Sequence, residues 1–479
     1  MGFPFTIQDE MNLLPLENVK GSGNSRYVDC PFCHSKAALR ITIDKNLWNC
    51  FSCQTKGDPR SGGGLTQLYG KFYNISNQDA YHAICDQLGV QSDYECGKNE
   101  DVTSPKASPR ELDQAYRTLL SMLSLSESHR ENLLQRGFDD EAIEKYMYRS
   151  VPITGYRSLM DSLNHYQVKL RGVPGFYTQD GTWRINLGKY AAGIFCPVKD
   201  REGYIVAMQI RLDRPIDGRK FIWLSSDSKE GGCSPGSPVH YAGDPLAKTI
   251  LLTEGSMKAN VSYELSKKLF KTPSNFVAVA GVSQYNSIKR LFKELKEYGC
   301  EVVYDCFDMD KFQNPNVYHA LGKIYEMAAE IGLTIKPYRW VTIIGSGKGL
   351  VEGTAYKILK NDTEFATYSC KDKDGKPTFS DKFFVTNGKL LIPEPIIDGQ
   401  HPHDNIKCKL INTETGAYQE FMMNVDKNVT QSRHLTFVNR KGIDDYLLSG
   451  YKEQVMNLKE TSARNLIRIK HISQRSIVK

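Results

Sequence analysis

Thr249-Ile250-Leu251-Leu252-Thr253-Glu254-Gly255 sets the architecture of this chain: an apolar run ends in a carboxylate, and the glycine after it lets the backbone turn sharply. Two further apolar runs follow, Phe276-Val277-Ala278-Val279 and Glu301-Val302-Val303-Tyr304. Stretches of helical periodicity, such as Ser283 to Tyr298 and Val317 to Ile331, separate or follow them. Strand and helix alternating in this way predict a parallel, doubly wound α/β sheet.

In an open α/β sheet the working groups collect at the carboxyl ends of the strands. The first run ends at Glu254, and the third continues into Cys306-Phe307-Asp308-Met309-Asp310. Along an extended chain, Asp308 and Asp310 would share one side, with Asp305 and Met309 on the other. Two carboxylates so close repel one another unless a divalent cation lies between them. With Glu254 they suit Mg²⁺, or Mn²⁺, which keeps positions open for water and phosphate oxygens. This is the chemistry of phosphoryl transfer. Lys258 stands one helical turn after Glu254, near a helix N-terminus that favours anions, and Arg211, Lys220 and Lys229 precede it as further cations for nucleotide or nucleic-acid phosphates.

Working outward to the N-terminus, Cys30-Pro31-Phe32-Cys33 and Cys50-Phe51-Ser52-Cys53 are two dithiol hooks. Residues 34 to 49 between them are long enough for a hairpin, and four thiolates at this spacing predict one tetrahedral Zn²⁺. His34 is a weaker ligand candidate. Leu65, Leu68, Tyr69 and Phe72, then Ala80, Ile84 and Leu88, predict two short helices that buttress the zinc site. Residues 94–107 carry few large apolar groups and read as a linker. Ser108-Pro109-Arg110-Glu111 is a capping box that opens a helical region to about residue 150.

The remaining boundaries follow changes of pattern. Residues 1–93 form the zinc-ribbon unit, 151–248 a basic, β-rich segment, and 249–340 the α/β sheet. Residues 341–440 return to strands and turns, with Asp374-Gly375 and Asn387-Gly388 as hairpin signals, and 441–479 form a C-terminal segment. The fold class is therefore multidomain α/β. In 479 residues, 62 Lys and Arg stand against 55 Asp and Glu, a formal charge of +7 that suits a nucleic-acid partner without histone-like basicity. Scattered cysteines, the lack of a signal-like N-terminus and the lack of a long apolar run predict a soluble cytoplasmic protein with no membrane partner. Gly345-Ser346-Gly347-Lys348-Gly349 lacks the spacing of a P-loop.

Taken in order, these parts resemble the DnaG-type primases of bacteria and phages. The hooks with Trp48-Asn49 and Gly57-Asp58 look like the primase zinc-binding domain, with Cys33 where the cellular pattern has histidine. Residues 194–226, including Gln209-Ile210-Arg211 and Lys220-Phe221-Ile222-Trp223, are similar to the basic half of the polymerase core. Residues 249–335 resemble a Toprim domain. Leu133-Leu134-Gln135-Arg136-Gly137, Gly172-Val173-Pro174-Gly175-Phe176-Tyr177, Thr253 to Ala259 and Lys441-Gly442-Ile443-Asp444-Asp445-Tyr446-Leu447 look like a Toprim-like family of phages and mobile elements. Between the Toprim strand near Trp340 and the last motif, residues 341–440 read as a β-rich insertion.

The resemblance implies synthesis of short primers on a single-stranded DNA template from nucleoside triphosphates. Glu254 would serve as acid, base or metal-positioning group, and Asp308 and Asp310 as the metal pair. In the family a replicative helicase is a partner, but with only residues 449–479 following the final motif its recruitment is not expected from this sequence. Two other functions remain open on the residues: a Toprim-type nuclease using the same carboxylates, and a non-catalytic single-strand-binding replication protein.

Overall fold

The computed structural model describes residues 3–55, 61–73, 75, 77–88, 90, 104–187, 192–216, 219–227, 229–371, 377–396, 405–424, 427–432 and 434–456. Gly57-Asp58, most of the 94–107 linker, the hairpin signal Asp374-Gly375 and residues 457–479 of the C-terminal segment lie outside these residues.

The N-terminal unit opens with α1 (Ile7–Asn12), started by a reciprocal Thr6 and Asp9 capping box. Its antiparallel sheet runs β1 (Ser25–Val28), β2 (Leu39–Thr42), β3 (Leu47–Cys50) and β4 (Gly62–Gly63), in that order. The short helices α2 (Phe51–Thr55), α3 (Gln67–Tyr73) and α4 (Asn77–Leu88) complete it. Alternation buries Leu39 and Ile41 of β2 while Arg40 and Thr42 face outward.

Helices α5 (Pro109–Ser121), α6 (Glu127–Gln135), α7 (Asp140–Lys145) and α8 (Tyr156–His165) follow. Both halves of the Ser108 and Glu111 capping box are in place at α5. The short strand β5 (Arg149–Ser150) lies between α7 and α8, and β6 (Phe176–Gln179) and β7 (Thr182–Ile185) make a separate hairpin. Strands β8 (Gly193–Lys199), β9 (Ile205–Ile216) and β10 (Arg219–Trp223) join β5 in the sheet β10-β9-β8-β5.

The central sheet has the order β11-β13-β12-β14-β15, built from β11 (His240–Ala242), β12 (Thr249–Glu254), β13 (Phe276–Val279), β14 (Val302–Asp305) and β15 (Thr334–Pro337). Helices α9 (Ser256–Leu269), α10 (Tyr285–Glu297) and α11 (Pro315–Ile331) connect the strands. β12 to β15 are mutually parallel, as the alternation predicts. The expectation of a wholly parallel sheet is corrected at one edge, where β11 pairs antiparallel with β13. Three residues suffice for an edge strand but are too few to reveal a period. A buried relay locks this edge to the preceding sheet. The Lys199 amide donates to His240 Nδ1 (3.0 Å), His240 Nε2 meets Asn260 Oδ1 (2.8 Å), and Asn260 donates to the Tyr148 hydroxyl (3.0 Å).

One hydrophobic core runs from the ribbon into this sheet, joining Trp48, Leu68, Tyr69 and Ile84 to Ile288, Leu291 and Phe292 of α10 and Ile324 of α11. The zinc unit is thus packed on one helical face of the sheet. After β15, strands from Ile343–Gly347 to Leu435–Asn439 form, among the described residues, a nine-stranded antiparallel sheet. Its two end strands approach each other, with the Asn424 amide 3.5 Å from Thr430 Oγ1, so the sheet curls toward a barrel whose ends touch without a strand ladder between them. Ile343 pairs with Asn439, which makes the entering and leaving strands neighbours.

Candidate functional site

Cys30 and Cys33 precede β2, and Cys50 and Cys53 sit at the end of β3 and within α2, so the ribbon hairpin folds one hook onto the other. The Cys30 and Cys53 sulfurs lie 3.7 Å apart, as do those of Cys33 and Cys50. A tetrahedral ion with bonds of about 2.3 Å separates its sulfurs by about 3.8 Å. The four thiols therefore fit zinc. Burial pushes the Cys30 thiol up to about 12, so a bound dication is what favours the thiolate there. His34, just past the first hook with φ 55°, is outside this group.

At the sheet's carboxyl end, Glu254 closes β12 and Gly255 turns the chain with φ 84°. The sequence expectation for Asp308 and Asp310 requires a correction of detail. The strand stops at Asp305, and Met309–Phe312 is a 3₁₀ helix, so strand alternation does not bring the two together. The turn is held by Lys311, whose buried ammonium bonds Asp305 Oδ1 (2.7 Å) and the Asp305 carbonyl (3.0 Å). Asp305 thereby serves the core.

The two aspartates do not face an empty gap. Lys258 forms an ion pair with Asp308, and Lys441 pairs with Asp310 at 2.8 Å. Lys441 belongs to the segment beyond the barrel, and its carbonyl accepts the Met309 amide (3.0 Å). The same segment delivers Asp444 and Asp445. A Cβ added to Gly442 would lie 2.4 Å from Asp444 Oδ1, 3.3 Å from Asp308 Oδ1 and 3.4 Å from Asp445 Oδ2. Only glycine admits three carboxylates so near. Sequence reasoning quoted this motif for its resemblance without giving its acids a place in the site.

The electrostatics follow from this crowding. Burial, then neighbouring Asp444, raises Asp445 to about 7. Burial against its surroundings, with Asp308 and Asp310 adding repulsion, raises Glu254 to about 7; Glu254 is nonetheless solvent-exposed, and water tempers that rise. Asp308 resists the upward push of burial and is lowered, because Lys258 and Lys441 face it. Asp444 Oδ1 is buried without a hydrogen-bond partner, a donor atom that suits a cation.

The predicted basic residues are placed differently. Arg211 on β9 lies near Arg136 at the end of α6, and Arg136 in turn acts on Asp444. Among the described residues neither arginine has a carboxylate ion-pair partner. Lys220 is exposed on edge strand β10, and Lys229 lies 4.5 Å over the Tyr177 ring. Arg136 stood in a motif quoted for its resemblance but was given no place in the site, because its approach to Arg211 and Asp444 is made by tertiary packing.

No family model matches the sequence. A DNA primase of Thermotoga maritima is 22% identical over 377 residues, covering 73% of this chain and 58% of that protein. The chain is similar to the DnaG-type primases. It spans little more than half the length of the Thermotoga maritima relative. Two solved structures of the group are also alike. They are the Aquifex aeolicus primase zinc-binding and RNA polymerase domains (18% identity, 70% of this chain and 76% of that one, TM-score 0.36) and a DnaG primase catalytic domain bound to ssDNA (16%, 48% and 72%, TM-score 0.32). Among the described residues no helix is long and apolar enough to cross a membrane.

Proposed function

We propose that this chain is a primase-like nucleotidyltransferase that builds short oligonucleotides on single-stranded DNA from nucleoside triphosphates, in the replication of a phage or mobile element. The observation that carries the reading is the convergence of Glu254, Asp308, Asp310, Asp444 and Asp445 at the carboxyl end of a parallel sheet, with a zinc-type ribbon docked on the same sheet. Similarity to a DNA primase supports it. Residues 249–340 act in this reading as a Toprim domain, 341–440 as an insertion, and the cytoplasm as the setting. A replicative helicase is a partner to be tested by binding.

The orphaned Asp444 oxygen, with Asp308 and Asp310, would hold a divalent cation, Mg²⁺ or Mn²⁺. Such an ion supplies Lewis acidity and charge neutralisation for phosphoryl transfer. Glu254, exposed and raised toward neutrality, is placed to take a proton from an attacking hydroxyl. Arg136 and Arg211, two cations without carboxylate partners, would bind triphosphate or template phosphates, with Lys220 and Lys229 farther along the strand path. On the ribbon, Tyr27, Arg40 and Asn49 form one cross-strand row, a stacking and hydrogen-bonding surface for single-stranded template.

The test supplies purified protein with labelled ribonucleotides or deoxyribonucleotides, Mg²⁺ and mixed-sequence single-stranded DNA. Template-dependent oligonucleotides are expected, and Glu254→Gln and Asp308→Ala should each reduce them at least about 100-fold. A parent without product, or variants as active as the parent, would overturn the assignment.

A further inference from the structure

Lys258 projects from the first turn of α9 into the acidic centre, where only 20% of its side chain is exposed. Its ammonium contacts Asp308 and is close enough to Glu254, Asp444 and Asp445 to act on each carboxylate. It therefore occupies the kind of place that a metal ion takes, between acids delivered by three separate segments. A second observation agrees. Among the described residues, only the four zinc-type thiols form a group of three or more ligand atoms all within 4.8 Å of one another, so no three carboxylates of the centre are drawn that close. Two dications would require a more negative centre than one already containing an ammonium.

We propose that Lys258 is a built-in cation that takes the place of one divalent ion, so that the acidic centre binds a single Mg²⁺ or Mn²⁺, at the position marked by the orphaned Asp444 oxygen. The inference rests on the acidic centre being the metal site of the proposed function. Lys258 is then a positioning residue: it fixes Asp308 beside the single ion that Asp308, Asp310 and Asp444 would hold. Lys441 differs in having Asp310 as its ion-pair partner and in being fixed by the backbone bond to Met309.

The test is Mn²⁺ binding to full-length, zinc-loaded protein, followed by electron paramagnetic resonance of the free ion. The parent should bind one Mn²⁺ at the acidic centre, Lys258→Met two, and Lys258→Arg one. Thermal unfolding in Mn²⁺-free buffer provides the fold control: Lys258→Met should melt lower than the parent and recover on adding Mn²⁺. Two ions in the parent, or one in Lys258→Met, would overturn the inference and leave the metal-dependent function standing. No Mn²⁺ in either chain would overturn both.

Discussion

Glu10 has no solvent exposure, and its two carboxylate oxygens accept the Thr66 amide (2.9 Å) and the Tyr69 amide (2.7 Å) at the start of α3. Burial outweighs these donors and raises the group from 4.5 to about 7. The folded state thus holds a proton that the unfolded chain has released. The contribution is full below about pH 4.5 and is lost as pH rises through 7, an effect of up to about 3 kcal/mol. Melting temperature should therefore fall between pH 5 and pH 7.5, and Glu10→Gln should flatten that slope; an unchanged slope in the variant would assign the titration elsewhere. Residue-scale features legible in the sequence were those set by spacing along a few positions. The hooks at Cys30 and Cys50 are of this kind, since a two-residue gap is itself a chelating geometry. Lys258 was legible as a cation near Glu254, but its contact with Asp308 depends on a neighbouring strand's turn, which no local pattern encodes.

At the scale of elements, the parallel strands were readable because β12 and β13 are buried on both faces and so appear as unbroken apolar runs, while β14 alternates half-buried and buried positions. The antiparallel edge β11 was not, and neither was the 3₁₀ turn held by the Asp305 and Lys311 pair, whose partners stand out only when both are known to be buried. Asp444 and Asp445 escaped a place in the site for a different reason: proximity to Asp308 is created by tertiary packing across the barrel's length of chain. The shared core of the ribbon with α10 and α11 gives a prediction at this scale. Removing zinc unties the hooks around which Trp48 and Leu39 are packed. Hydrogen exchange should then accelerate in Ile288–Leu295 and Ala320–Ile324, while β8 and β9, which belong to another core, stay protected. Unchanged exchange in α10 and α11 would mean that the ribbon's metal has no hold on the sheet.

For the whole molecule, the point of departure into the barrel is also the point of return: the Arg440 amide bonds the Thr342 carbonyl at 2.7 Å, and the Trp340 indole donates to the Arg440 carbonyl. Replacing residues 343–439 by Asn-Gly should close a two-residue turn at that bond. The shortened chain should retain zinc and Mn²⁺ binding with Lys441, Asp444 and Asp445 in place; loss of Mn²⁺ binding with zinc retained would make the barrel a structural brace for the acidic centre. The Thr342 and Arg440 contact also has a meaning for descent. A detour that begins and ends on one hydrogen bond can be exchanged for another appendage by recombination at two nearby points in space, without asking any residue of the centre to move. The acidic groups would pass intact through generations of altered attachments, and counting residues between motifs would make close cousins look unrelated.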